Sequence, residues 1–253
     1  MTAAPHSQGV TVEVRDLRKN FGAVEVLKGI SFQVARGERF VIMGPSGSGK
    51  SVLLKHLIGL MRPEAGEILI EGQSIQNPAV RDQYRMAMVF QSAALLTSLT
   101  VGENVGLYLA EHQLKEPAQI DAIVARTLES VGLKGLQDRA PSELSGGMQK
   151  RVAIARALII EPQLVLFDEP TSELDPLMAV TIGEEILNLN ERTSATSIIV
   201  THDRELAFAT ANRIAMISEG RIIFIGTAQE VQNSANPVIQ KFIRAELAAP
   251  KPR

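Results

Sequence analysis

Cysteine is absent from the sequence, which excludes disulfide bonds, thiol catalysis and a cysteine-ligated metal site. An excess of one charge is also missing, because 26 basic side chains stand against 28 acidic ones and the formal net charge is -2. This balance gives no global attraction to nucleic acid, so we expect no nucleic-acid partner. No stretch of about 18 apolar residues occurs, and residues 1–10 have no signal-peptide core. We therefore expect a cytoplasmic chain that meets a membrane only through a partner.

The pattern of apolar residues changes along the chain. Short runs with strand character occur before residue 71 and return after residue 163, whereas apolar residues recur at helical spacing between about 102 and 160. This alternation favours an α/β fold with a parallel core sheet and an antiparallel β portion near the N-terminus. We predict one domain over residues 10–235, with an inserted helical subdomain at about 92–160, and a C-terminal helix and tail over 236–253.

A glycine-rich loop lies between the apolar run 40–43 and the apolar run that begins at Val52. The loop fits the pattern Gly-x-x-x-x-Gly-Lys-[Ser/Thr] with Gly44, Pro45, Ser46, Gly47, Ser48, Gly49, Lys50 and Ser51. Glycines let backbone N–H groups turn toward phosphate oxygens, and a following helix N-terminus adds partial positive charge. A plain Gly/Ser linker is the alternative, but the strand–loop–helix setting favours a P-loop NTPase. Lys50 would then reach the ATP phosphates, and the Ser51 hydroxyl would hold Mg²⁺.

Two acidic residues end a second apolar run, 164–167. Asp168 and Glu169 would stand at the carboxyl end of a buried strand, where ligands bind in open α/β sheets. Asp168 would hold Mg²⁺ through its water shell, and Glu169 would polarise the attacking water as general base. A solvated acidic turn is the alternative, which the P-loop in the same chain disfavours.

Three further segments resemble motifs of the ATP-binding cassette (ABC) ATPases. Ser145, Gly146 and Gly147 resemble the family signature, and Ser145 can cap the helix that follows. Gln91 resembles the glutamine that contacts Mg²⁺ and the water and hinges the helical subdomain. His202 resembles the switch histidine that senses the γ-phosphate. A lone residue of these types is more often a surface or capping residue, but their spacing and order along one chain favour the family.

The resemblance covers about residues 12–227 and implies an ABC-type ATPase domain that binds ATP and Mg²⁺. It implies that Phe21 stacks on adenine, where many relatives have tyrosine, and that Glu173 lies in the D-loop, where the family usually has alanine or glycine. Two copies would pair head to tail, with each ATP between the Lys50 loop of one copy and the Ser145 loop of the other.

The resemblance also assigns the chemical roles. The implied catalytic residues are Lys50, Glu169 and His202. The implied metal ligands are Ser51, Gln91 and Asp168. A chain with all these residues is expected to hydrolyse ATP rather than only to bind it as a regulatory protein.

The transport system is indicated by looser likenesses. Residues 90–105, Met148 and residues 236–243 resemble ATPases that serve MCE-type (Mla-type) phospholipid transporters. This implies an integral membrane permease and an MCE-domain lipid-binding subunit as partners, and a peripheral place on the cytoplasmic side of the inner (plasma) membrane. Ala94, Leu95 and Leu96 are candidates to line the groove that receives the permease; the alternative is that they belong to the core.

Two other functions stay open at this point. One is the ATPase of an amino-acid or other small-solute importer. The other is a non-transport ABC protein, but such proteins usually carry two cassettes or a long coiled-coil insertion, and this chain has one P-loop and no sustained heptads. The cargo is chosen by permease and binding subunits outside this chain.

Overall fold

The computed structural model describes residues 9–244. In chain order its strands are β1 (Val12–Phe21), β2 (Val24–Val34), β3 (Arg39–Met43), β4 (Ala65–Ile70), β5 (Gln73–Ser74), β6 (Met86–Val89), β7 (Leu164–Asp168), β8 (Thr196–Thr201), β9 (Arg213–Ser218) and β10 (Arg221–Gly226). Its helices are α1 (Lys50–Leu57), α2 (Pro78–Gln83), α3 (Val101–Glu111), α4 (Pro117–Ser130), α5 (Gly146–Leu158), α6 (Pro176–Thr193), α7 (Arg204–Thr210), α8 (Ala228–Gln232) and α9 (Pro237–Ile243).

The N-terminal strands form an antiparallel sheet in the order β2-β1-β4-β5. β1 and β2 form a hairpin that closes with Phe21 opposite Val24, and Gly22 in its turn has φ +59°. Val12 and Val14 alternate with less buried residues, as expected for a strand with one face on a core. The predicted N-terminal antiparallel portion is therefore confirmed.

The central sheet has the order β10-β9-β3-β8-β7-β6, and its strands from β9 to β6 run parallel. Every residue of β7 and β8 is buried, as is typical of parallel strands covered on both faces. The predicted parallel α/β core is confirmed. The sequence did not indicate that β10 would add an antiparallel strand at the edge beside β9.

Side chains of the central sheet alternate between two hydrophobic clusters. Val165 and Phe167 pack into the cluster that includes α5 and α6, whereas Leu164 and Leu166 pack into the one that includes α1 and the antiparallel sheet. The sheet thus separates the helices of the inserted segment from the N-terminal sheet, as the two-residue period of a strand requires.

Strand register brings four strand ends to one edge of the central sheet. The register pairs there are Met43 with Thr201, Asp168 with Val200, and Val89 with Phe167. Because these strands are parallel, the residues that follow each of them lie at the same edge. The P-loop, the acidic pair, Gln91 and His202 are therefore positioned by the sheet itself.

The inserted segment is helical, as its periodicity predicts. Helices α3, α4 and α5 pack on one another, and α5 also packs on β6 and α6. Thr100 caps α3: its hydroxyl accepts a hydrogen bond from the Glu103 backbone N–H, and the Glu103 carboxylate accepts one from the Thr100 backbone N–H.

A C-terminal helix is present as α9, within the range 236–253 predicted for a helix and tail, and residues 245–253 of that range lie outside the described residues. Between residues 9 and 244, no helix combines the length and the apolar character needed to cross a membrane.

Candidate active site

The loop between β3 and α1 depends on glycine at its two ends. A Cβ on Gly44 would lie 2.2 Å from the backbone oxygen of Ile217 on β9, so no other residue fits there without movement. Gly49 has φ +100°, and a Cβ there would lie 2.9 Å from Leu27 Cδ2. The loop can thus turn tightly against β9 and β2 and begin α1 at Lys50.

Lys50 is almost fully buried inside this loop. Its Nζ donates hydrogen bonds to the backbone oxygens of Gly44 at 2.9 Å and Pro45 at 3.1 Å, and lies 3.4 Å from Glu169 Oε1. The ammonium is therefore held between the loop and the acidic end of β7. Ser48 Oγ is buried nearby in the chain and has no hydrogen-bond partner within residues 9–244. A phosphate group in the loop would supply acceptors for both side chains, so these residues fit a nucleotide.

Ser51 and Asp168 form the second contact between α1 and β7. Ser51 Oγ donates a hydrogen bond of 2.9 Å to Asp168 Oδ1. Burial raises the pKa of the Asp168 carboxyl and the nearby Glu169 charge raises it further, while the Ser51 hydrogen bond opposes them. In residues 9–244 no group of three histidine or carboxylate side chains could hold a metal alone. The two oxygens could hold Mg²⁺ if further ligands came from phosphate and water, as is usual for this ion.

Glu169 joins the P-loop to His202. The Glu169 carboxylate accepts the His202 backbone N–H at 3.0 Å, and its Oε2 lies 2.9 Å from His202 Nδ1. Glu169 has φ +47°, a left-handed conformation that is uncommon for glutamate, and its own N–H donates to Val200 O at 2.9 Å. The strand edge thus brings together one buried cation, two carboxylates, a hydroxyl and a histidine.

Phe21 and Gln91 lie at the margins of this group. Phe21 ends β1 with 48% of its surface exposed, and the Lys19 ammonium is 5.6 Å from its ring centroid. Its hairpin passes close to the P-loop, because a Cβ on Gly49 would lie 3.2 Å from the Val26 backbone oxygen. Gln91 follows β6 and is exposed, and its backbone oxygen accepts a hydrogen bond from Lys150 Nζ.

The signature residues are placed elsewhere, at the N-terminus of α5. Ser145 caps this helix through a hydrogen bond of 3.3 Å from Met148 N to its Oγ, which confirms the predicted cap. Ser145 and Gly146 are exposed, and the neighbours of Gly146 and Gly147 are Leu174 and Met178, on the loop after β7 and on α6. The exposed Glu173, with φ +64°, belongs to the same loop.

The loops after β7 and β8 are linked by a contact that the sequence did not predict. Thr171 Oγ1 donates a hydrogen bond of 2.8 Å to Asp203 Oδ2, and Asp203 Oδ1 accepts one of 3.2 Å from Leu206 N to cap α7. An aspartate directly before a helical run is a capping signal, so the cap could have been found. The partner Thr171 could not, because it comes from a distant part of the chain.

The three apolar residues after Gln91 differ in burial. Leu95 is half-buried and packs on the cluster that includes α5, whereas Ala94 is exposed and Leu96 is 46% exposed. The burial of Leu95 therefore favours the alternative in which this residue belongs to the core and does not line the docking groove. Leu96 and Ala94 are available to a partner.

The chain is similar to known proteins over most of its length. A family model described as ABC transporter matches residues 27–172. The chain is 41% identical to Protein TRIGALACTOSYLDIACYLGLYCEROL 3, chloroplastic, of Arabidopsis thaliana, over 95% of this chain and 75% of that protein. It is 39% identical to the intermembrane phospholipid transport system ATP-binding protein MlaF of Haemophilus influenzae, over 94% of this chain and 92% of MlaF. It is also 40% identical to the sulfate/thiosulfate import ATP-binding protein CysA of Bradyrhizobium diazoefficiens, over 95% of this chain and 71% of CysA.

A solved structure is similar in fold and in sequence. It is a dimer of the ATP-binding cassette MJ0796 in a post-hydrolysis state, bound to ADP and Pi. The TM-score is 0.78 with 30% identity, and the match covers 86% of this chain and 98% of that one. The likeness therefore extends over most of this chain and nearly all of the solved one.

Proposed function

The chain belongs to the ABC transporter family and is an ATP-binding, ATP-hydrolysing transport subunit, and from this premise we propose that it powers phospholipid transport through a separate membrane permease. The ATPase chemistry is supported most by one observation: Glu169 lies between the P-loop Lys50 and His202 at the edge of the parallel sheet. The choice of phospholipid is supported by the identity to MlaF over 92% of its length.

The contacts suggest how hydrolysis proceeds. Glu169 takes a proton from the attacking water, whose oxygen then bonds to the γ-phosphorus while the bond to ADP breaks. Lys50 exchanges the Gly44 and Pro45 oxygens for phosphate oxygens, which carry more charge and so form stronger hydrogen bonds. His202 orients the Glu169 carboxylate through the contact between its Nδ1 and Glu169 Oε2, and it senses the γ-phosphate.

The remaining site residues would bind and orient ATP. Ser51, Asp168 and Gln91 would hold Mg²⁺, which neutralises charge on the phosphates when bound. Phe21 offers an exposed aromatic face to the adenine ring beside the P-loop. The loop residues from Gly44 to Val52 would surround the phosphates.

The position of the signature supports a site shared between two copies. Ser145 and Gly146 are exposed at a helix N-terminus, next to the loop after β7. In a head-to-tail pair, that helix end would face the ATP held by the Lys50 loop of the other copy, as an anion-binding helix N-terminus does. Hydrolysis would then require the dimer.

The membrane partners are part of the proposal. The permease would dock at the exposed Leu96 and Ala94, and an MCE-domain subunit would carry the lipid. The chain would act on the cytoplasmic side of the inner (plasma) membrane, held there by the permease. Residues 10–235 would form the ATPase domain with 92–160 as its helical subdomain, and 236–253 would be the C-terminal helix and tail.

A small-solute importer is the second candidate, because CysA is 40% identical to this chain. Purification of the tagged chain from detergent-solubilised membranes, followed by mass spectrometry, separates the two. We expect a permease together with an MCE-domain protein. A permease recovered with a soluble solute-binding protein would favour the importer, and recovery of ribosomes or DNA without a permease would contradict a transport role.

A further inference from the structure

Helix α5 sends two cationic side chains to the backbone of the loop after β6. Arg156 Nη1 donates a hydrogen bond of 2.7 Å to Ala94 O, and its Nη2 donates one of 2.9 Å to Ala93 O. Lys150 Nζ, on the same helix and almost fully buried, donates to Gln91 O. Side chains of one helix therefore donate hydrogen bonds to three backbone oxygens of this short loop.

The two alanines have an unusual conformation. Ala93 has φ +58° and Ala94 has φ +47°, so two successive residues with a Cβ lie in the left-handed region. Such a conformation costs energy for any residue but glycine and persists only where the surroundings impose it. The two parallel N–H groups of the Arg156 guanidinium supply that constraint in a fixed geometry.

Within residues 9–244, no other charged group explains the place of Arg156. It is half-buried, and burial alone lowers its pKa, with no carboxylate contributing. Burying a guanidinium is costly unless its donors are used, and here Ala93 and Ala94 use them.

The rest of the loop is bound to α3. The fully buried Asn104 accepts the Leu96 N–H at 2.8 Å, and its own amide donates to Leu96 O at 2.9 Å. Residues 91–96 are thus attached to α3 and α5, while β6 ends at Val89 in the central sheet. If the helices move relative to the sheet, the chain must bend at Phe90.

We propose that Arg156 is a positioning residue that fixes the Ala93–Ala94 turn to α5, so that Gln91, the exposed Leu96 and the helix beginning at Ser145 move as one body. A contact made at Leu96 would then displace Gln91 at the candidate active site and the signature end of α5 together. The attachment joins residues within one chain and does not depend on the proposed function. Only its effect on ATP turnover rests on the proposed function.

The absence of cysteine allows a direct test of the attachment. A nitroxide label on Thr97→Cys, in the exposed part of the loop, reports local motion by electron paramagnetic resonance, and a label on Glu191→Cys of α6 is the control. Arg156→Met is expected to narrow the spectral lines of the label at position 97, because the loop becomes more mobile. The spectrum of the label at position 191 should not change. Arg192→Met is the matched variant, because Arg192 also donates to a backbone oxygen, that of Ser130, away from this loop.

The second readout separates positioning from a general structural role. Arg156→Met is expected to lower kcat for ATP about tenfold with KM little changed, since the P-loop is untouched. Replacing both alanines by glycine removes the cost of φ above 0°, so Ala93→Gly with Ala94→Gly is expected to restore much of the lost kcat in the Arg156→Met protein.

The outcomes are distinct. An unchanged spectrum at position 97 in folded Arg156→Met would overturn the proposal. An unchanged kcat in a protein whose loop has become mobile would also overturn it, and so would a kcat that the two glycines do not restore. If Arg156→Met does not fold, Arg156→Gln keeps a polar side chain but lacks the forked guanidinium, and an unchanged loop spectrum in it overturns the proposal in the same way. A parental protein without ATPase activity would defeat the proposed function while the spectra still test the attachment.

Discussion

The edge of the parallel sheet and the loop after β6 are held by different kinds of contact. At the sheet edge, polar and charged side chains contact one another: Lys50 with Glu169, Glu169 with His202, and Ser51 with Asp168. In the loop, side chains of helices contact backbone oxygens. The first arrangement places charge where a phosphate can react, and the second fixes the path of the backbone.

The largest effect is expected from Glu169→Gln at the sheet edge. Loss of the general base should lower kcat about 10²–10⁴-fold while ATP binding is retained, because glutamine keeps the shape of the side chain. Steady-state ATPase assays and fluorescent-nucleotide titrations check this, with Glu184→Gln on the exposed face of α6 as control. Hydrolysis at the parental rate would show that another group is the base.

Lys50→Ala should fail in a different way. A charge-assisted hydrogen bond contributes about 1.5–3 kcal/mol, so ATP affinity should fall about 10- to 150-fold. Titration calorimetry measures it, and Lys115→Ala, an exposed lysine of the inserted segment, is the control. Unchanged affinity would remove Lys50 from the phosphate site.

Two adjacent leucines of the loop region are expected to respond differently to a charge. Leu95→Asp should destabilise the subunit by about 1–3 kcal/mol, because a charge would enter a packed cluster. Leu96→Asp should leave stability and free ATPase activity close to parental but abolish recovery of the permease, because Leu96 is exposed. Denaturant unfolding and co-purification measure the two effects. A normal complex with Leu96→Asp would move the docking surface elsewhere on the inserted helices.

The smallest effect concerns the pH dependence of stability. Burial raises the pKa of Asp168 above that of the unfolded chain, so the folded state holds this proton more tightly. Its contribution to stability is then largest at low pH and is lost as pH rises from the ordinary aspartate range through the raised pKa. Asp168→Asn should remove this loss and raise the melting temperature at neutral pH relative to the parent. Identical pH profiles of Tm in the two proteins would contradict it.

The difference between the regions also explains what could be predicted from sequence. Asp168 ends a strand, and Lys50, Glu169 and His202 come after strand ends. Because the parallel register brings strand ends together, a local pattern was enough to place them. The α/β class and the antiparallel N-terminal sheet followed from the same periodicity. Their binding roles stay predictions.

The loop contacts depend on packing that no local pattern encodes. Arg156 lies on α5, 62 residues after Ala94, and nothing in either segment specifies that they meet. The left-handed Ala93 and Ala94 were equally unpredictable, because alanine has no preference for that conformation. The available signal was Lys150, a cationic residue in a helix whose other buried residues are glycine or apolar.

We propose that the Lys50 cluster and the Ser145 helix end complete one site only across two copies of the chain. Light scattering of the Glu169→Gln protein, in which hydrolysis is slow, measures this directly. ATP with Mg²⁺ should convert the monomer to a dimer, Ser145→Arg should block the conversion by placing bulk and charge at the shared site, and Ser142→Arg, at an exposed neighbouring position, should not. A Ser145→Arg protein that dimerises like its parent would contradict the account.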